Sequence, residues 1–179
     1  MILPPLALLL PSLYTYPFPQ ETSSYSDIVV SYFPNAYYLA ESIIHWKTIP
    51  LWSPTILSGY PFAANPLSGL WYLPNWLAVI FPIPVACNLL VIIHLIGGGI
   101  GIYLLLRGEG LSEITALLGG LAFEMMPKLF GHYGGGHMGL IFAVCWTPWL
   151  LVSAKSVYGN YQARSEVSRL IRKIILPAI

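Results

Sequence analysis

Apolar residues run almost unbroken from residue 85 to residue 106, VACNLLVIIHLIGGGIGIYLLL, and Arg107 ends the run. A bilayer core takes about 20 apolar residues of helix, so this segment predicts a transmembrane helix. No Asp, Glu, Lys or Arg occurs between Lys47 and Arg107, a stretch longer than one span. Its first half has a different texture. Pro50, Pro54, Pro61, Pro66, Pro74, Pro82 and Pro84, with Gly59, Gly69 and many aromatics, prevent a continuous helix there. Gly97, Gly98, Gly99 and Gly101 inside the clean run allow close helix–helix approach.

Three further apolar segments follow the same logic. Residues 1–18 are apolar but interrupted by Pro4, Pro5 and Pro11. They lack the basic leader and small-residue cleavage site of a signal peptide and read as a short or clipped first helix. Residues 111–130 form another span, with Gly119 and Gly120 mid-helix and Met126-Pro127 closing it. Residues 137–154 form the next, despite Pro148. The tail from Ile174 to Ile179 reads as the opening of a fifth helix, which favours a piece of a longer protein over a short amphipathic terminus. The expected fold is therefore all-α: a single polytopic membrane domain over residues 1–179 with about four transmembrane helices. Residues 19–84 form a long outer loop, residues 85–154 hold three of the spans, and 155–179 form a basic segment running into the fifth helix.

Composition supports this class. Of 179 residues, 56% are hydrophobic and 8% charged, against roughly 25% charged in soluble domains. So few charged side chains cannot cover a water-soluble fold. A net charge of +1 offers no basic stripe for nucleic acid. Cys87 and Cys145 lie in apolar runs without metal-ligand spacing. Arg107, Lys155, Arg164, Arg169, Arg172 and Lys173 fall on one side of the expected spans, and only Lys47 and Lys128 on the other. The positive-inside rule then puts the 107–110 turn and the 155–173 segment in the cytoplasm. The 19–84 loop of this multi-pass cell-membrane protein faces outward.

A loop as long as 19–84 usually carries function. It contains Asp27, the only aspartate of the chain. Beyond it, Ala36, Leu39, Ala40, Ile43 and Ile44 share one face at helical spacing, with Asn35, Glu41, Ser42 and His45 elsewhere. That pattern suits an amphipathic helix resting on the outer membrane surface. Trp52, Trp71, Tyr72 and Trp76 suit the headgroup level. Belt behaviour does not account for Gly59-Tyr60-Pro61-Phe62-Ala63-Ala64-Asn65-Pro66, which sets polar Asn65 among small and rigid residues.

Asp27, Pro34, Ile49-Pro50-Leu51-Trp52-Ser53-Pro54, Ser58-Gly59-Tyr60-Pro61-Phe62 and Ala64-Asn65-Pro66 together resemble the first outer loop of YfhO-like bacterial membrane proteins. Gly110-Leu111-Ser112, Leu118-Gly119-Gly120-Leu121-Ala122-Phe123, Gly131-His132, His137 and Trp146-x-Pro148 fit the same pattern, which covers most of residues 19–154. That family belongs to the GT-C superfamily of glycosyltransferases that use polyprenyl-phosphate sugars. The resemblance implies sugar transfer from a lipid-linked donor to an acceptor outside the cytoplasm. It also implies that Asp27 deprotonates the acceptor hydroxyl or helps to hold a divalent metal ion. An attacking hydroxyl needs a base within hydrogen-bond reach; the structural alternative for Asp27 is a helix N-cap.

Around this candidate stand further polar residues. Asn65 is a candidate substrate contact. Lys128, His132 and His137 cluster in the second outer loop and could bind the donor phosphate, with Gly134, Gly135 and Gly136 letting backbone N–H groups approach it. A transition metal there would need helix to align the two histidines, which the glycines oppose. Glu124 stands four residues before Lys128, at the spacing of a helical ion pair. His94 lies inside a span, where a neutral imidazole bonded to a neighbouring helix is the commoner use. A second class of function remains: a non-enzymatic helical subunit of a larger membrane-protein complex, whose aromatic loop caps partner chains.

Overall fold

A computed structural model describes residues 26–175. The expected first helix at residues 1–18 lies outside them, as do residues 176–179 at the tail. After a π-helical turn at Ile28–Tyr32, the chain forms α1 (Phe33–Ile44), three short 3-10 turns, α2 (Leu77–Ile80), α3 (Ile83–Gly108), α4 (Glu113–Glu124), α5 (Pro127–Gly135) and α6 (Met138–Ile175). Among the described residues there is no strand, only one antiparallel bridge between Ser53 and Tyr60.

Three helical stretches are long and apolar enough to cross a membrane: Ile83–Gly108, Glu113–Gly135 and Met138–Gly159. At 1.5 Å per residue, α3 is roughly 39 Å long, more than a hydrocarbon core of about 30 Å requires. The middle stretch is broken. Met125 closes α4 and Pro127, at the first position of α5, starts a new helix, where its missing N–H costs nothing. Here the expected Glu124–Lys128 pair does not form. The break takes the two residues off a common helix, and Glu124 is fully buried with neither carboxylate oxygen hydrogen-bonded. Ser112 caps α4 by accepting from the Thr115 backbone N–H at 3.3 Å.

The glycines of α3 set the bundle spacing. A Cβ at Gly98 would lie 2.4 Å from the Phe123 ring, and one at Gly99 would lie 2.3 Å from Glu124 Oε1. On the α6 side, Gly101 faces Pro148, and the Trp149 indole donates to the Gly97 carbonyl at 2.9 Å. Small residues thus let α4 and α6 close on α3 from two sides. Ile93, Ile100, Leu104, Ile114, Leu117, Leu118 and Leu150 stay exposed, as lipid-facing positions of spans do.

α6 differs from expectation. It continues past Lys155 to Ile175 without interruption, because no proline occurs between Pro148 and Pro177 and Gly159 alone does not end it. Ile174 and Ile175 lie on α6, and the rest of the expected fifth helix, residues 176–179, lies outside the described residues. At the same end of the bundle Lys155 donates to the Gly108 carbonyl and pairs with Glu109 at 2.6 Å, while Arg107 pairs with Glu113 at 3.8 Å.

The segment from residue 26 to residue 82 sits on the other end. The apolar face of α1 is turned onto the protein: Ala36 packs with Ala78, Ile83 and Ala86, and Leu39 and Tyr38 with Phe62 and Leu70. Ser42, expected on the polar side, is buried too, its hydroxyl donating to the Tyr38 carbonyl at 2.7 Å. α1 is thus a packed element of a cap on this end of the bundle, with buried side chains on more than one face. Ile28, wholly buried against Cys87 and Leu90 of α3 and Ile141 of α6, pins the start of this cap to the bundle.

Candidate functional site

Asp27 immediately precedes this buried anchor. Its side chain makes no capping hydrogen bond to the following turn. Instead Oδ2 lies 3.3 Å from His137 Nε2. Across the same imidazole, His137 Nδ1 is 3.0 Å from His132 Nδ1. Three residues singled out in the sequence thus meet in one line of contacts.

The end of α5 explains how. The His137 N–H donates to the His132 carbonyl at 2.9 Å and the Gly136 N–H to the Tyr133 carbonyl at 3.0 Å. This nested pair is a Schellman turn, in which the residue two past the helix end folds back over the last turn. The motif brings those two side chains together, and here both are imidazoles. It requires a left-handed residue between them, and Gly136 has φ +83°. Glycine is needed for space as well: a Cβ there would lie 2.5 Å from the Ile28 nitrogen and 3.0 Å from that of Asp27. The same glycine therefore aligns the histidines and admits Asp27 beside them. The expectation that the glycines would prevent helix is corrected, since Gly131, Gly134 and Gly135 all lie within α5. Leu129 and Tyr133, buried on its other face, hold that helix in place.

A cavity of about 830 Å³ opens beside this cluster, lined by Asp27, His132, His137 and Gly136 at one end. It continues along one face of α6 past Met138, Gly139, Leu140, Phe142, Ala143 and Trp146, facing Tyr32, Leu67, Tyr72 and Asn75 of the cap. The walls are largely apolar. Towards Trp146, the indole donates to the Tyr72 hydroxyl at 2.9 Å, Tyr72 bonds His94 Nε2, and His94 Nδ1 meets the Leu90 carbonyl at 2.6 Å. A carbonyl only accepts, so His94 carries its proton on Nδ1 and Tyr72 donates to Nε2. With its own proton engaged, the Tyr72 oxygen offers the cavity only a lone pair. Phe142 stacks on both Tyr72 and His94. Tyr32 donates to Asn75 Oδ1 at 3.4 Å, and burial, reinforced by the nearby Cys87, pushes its phenol above the ordinary range.

The remaining expected residues lie apart. Asn65 accepts from the Leu67 N–H at 3.0 Å and so caps a 3-10 turn. It lines a smaller hollow of about 370 Å³. Lys128 is exposed at the start of α5 and does not line the large cavity. Among the described residues no group of three His, Cys, Asp or Glu side chains converges as metal ligands. Tyr72, Asn75 and Trp146 enter the site without having been singled out for it. Their signal was His94, a buried imidazole that needs partners, with an aromatic loop directly upstream of its helix. No protein-family model, curated protein or solved structure matches the chain.

Proposed function

We propose that the chain is a GT-C-like membrane glycosyltransferase, or the N-terminal portion of one, acting on a polyprenyl-phosphate sugar and an acceptor outside the cytoplasm. The observation that carries this reading is the contact of Asp27 with His137, and through it with His132, at the mouth of a mostly apolar cavity. A carboxylate and two imidazoles supply the proton acceptor that an attacking hydroxyl needs. Apolar walls along α6 suit the lipid part of a donor, and the acceptor-only Tyr72 oxygen suits a sugar hydroxyl. The resemblance of the outer loop to YfhO-like proteins points the same way. Arg107 and Lys155 stand at the opposite end of the bundle from Asp27, which by the positive-inside rule turns the site outward.

In this reading the acceptor hydroxyl attacks the anomeric carbon with inversion, the lipid phosphate departs, and the Asp27 cluster takes the proton. The test is transfer of labelled hexose from polyprenyl-phosphate hexose in proteoliposomes. Wild type transfers sugar, and Asp27→Asn loses about 10²–10⁴-fold in rate, the usual worth of general-base help. Full activity in Asp27→Asn, or none in wild type with a panel of hexose donors, overturns the reading. A non-enzymatic subunit is the second reading. It draws on the exposed apolar tip of the cap, Trp46, Leu51, Trp52, Ile56 and Leu57, a surface suited to a partner chain. Inactive wild type combined with stable co-assembly through that tip favours it.

A further inference from the structure

The contacts of Asp27, His137 and His132 fix more than proximity. A carboxylate oxygen only accepts, so the proton of neutral His137 belongs on Nε2, the nitrogen 3.3 Å from Asp27. Nδ1 of His137 then holds a lone pair. The 3.0 Å contact between the two Nδ1 atoms needs one proton and one lone pair, so His132 carries its proton on Nδ1. Within this line of three residues, that leaves Nε2 of His132 as the free basic atom, on a residue that lines the cavity.

We propose that His132, not Asp27, is the atom-level proton acceptor of the site, and that His137 and Asp27 are positioning residues behind it. The proposal rests on the glycosyltransferase reading. The acceptor O–H bond breaks as a bond forms from its proton to His132 Nε2. The proton on His132 Nδ1 passes to His137 Nδ1, and His137 becomes an imidazolium while retaining the proton on Nε2. The positive charge thus comes to rest beside the Asp27 carboxylate and one residue away from the substrate. The hydroxyl's electron pair goes to the anomeric carbon, and the glycosyl bond's pair leaves with the lipid phosphate. No metal or further reactant enters the balance. The role differs from phosphate holding, which would want both histidines charged; two protonated Nδ1 atoms cannot share the observed contact. Other titratable side chains nearby are Tyr32 and Tyr72 across the cavity and Lys128, one turn before His132 on α5.

Histidine ¹⁵N spectra of the full chain in lipid nanodiscs test the arrangement without any substrate. The result expected at neutral pH is His137 protonated on Nε2 and His132 protonated on Nδ1, with Asp27→Asn removing this preference. His132 protonated on Nε2 in the wild type overturns the proposal. Kinetics with polyprenyl-phosphate hexose give the second arm. His132→Gln lowers kcat by about 10²–10⁴-fold with KM unchanged, as loss of an interaction made only in the transition state does. A raised KM with kcat retained identifies a phosphate contact and overturns it. If the wild type transfers no sugar, the enzymatic reading fails, while the tautomers still decide the relay.

Discussion

Gly136→Ala is the substitution that bears most directly on how the site is assembled. Two costs act there. A non-glycine residue held in the left-handed region loses about 1–2 kcal/mol, and Gly136 sits at φ +83°. The added methyl would also meet the Ile28 nitrogen at 2.5 Å, Ser26 Oγ at 2.7 Å and the Asp27 nitrogen at 3.0 Å. Two of these are backbone atoms of a segment anchored by fully buried Ile28, so overpacking of about 1–3 kcal/mol adds to the strain. The sum is about 2–5 kcal/mol if the segment holds. If it yields instead, Asp27 moves off His137. Gly110→Ala is the control, because Gly110 has φ +85° with nothing within 4 Å of its would-be Cβ; it should lose only the strain, about 1–2 kcal/mol. Unfolding of both variants in mixed micelles, with the His137 ¹⁵N signals recorded alongside, gives the comparison. Equal losses in the two variants with unchanged His137 signals would refute the close approach of Asp27 to this turn.

Phe62→Ala removes a fully buried ring packed on Tyr38 and Leu70 and should cost about 3–5 kcal/mol, read as early loss of the cap in hydrogen exchange while α3 stays protected. Tyr72→Phe strips His94 Nε2 and the Trp146 indole of a shared partner and should cost about 1–3 kcal/mol, with a changed Trp146 emission as the local readout. The raised phenol of Tyr32 adds stability that is present below the ordinary tyrosine pKa, about 10, and is lost as pH rises above it, because the unfolded chain ionises first. Tyr32→Phe should therefore flatten the fall in unfolding midpoint between neutral and strongly alkaline pH, and an unchanged profile would contradict the burial of that hydroxyl.

The spans were legible because hydrocarbon leaves few choices. Long uncharged runs ended by Arg107 and Lys155 can only be helices, and the glycines of α3 announced the close contacts with Phe123, Glu124 and Trp149. Proline content told equally well that residues 49–84 would hold no continuous helix, although α3 already begins at Ile83, with Pro84 in its first turn. What α1 packs against was harder to read. Its alternating pattern fits a lipid surface and a protein surface alike, and only the positions of Phe62, Leu70 and Ala78, distant in sequence, decide between them. Asp27 and the histidines were found as residue types, but their union was not. His132 and His137 are misaligned on an ideal helix, and it takes the left-handed turn at Gly136 to fold one over the other. A run of three glycines followed by histidine, with another histidine five residues back, is nonetheless a readable sign of that turn. The Tyr72–His94–Trp146 chain joins a loop and two helices, and no local pattern announces it.

If Asp27 acts only through His132, removing Asp27 from a protein that already lacks His132 costs nothing further. The measurement that tests this most directly is hexose transfer by Asp27→Asn, His132→Gln and the double variant in the same nanodisc preparation. The double variant is expected to be no worse than the more damaged single one, as for residues that work together. Losses that multiply, so that the double variant falls by the product of the two, would show two independent groups and contradict it.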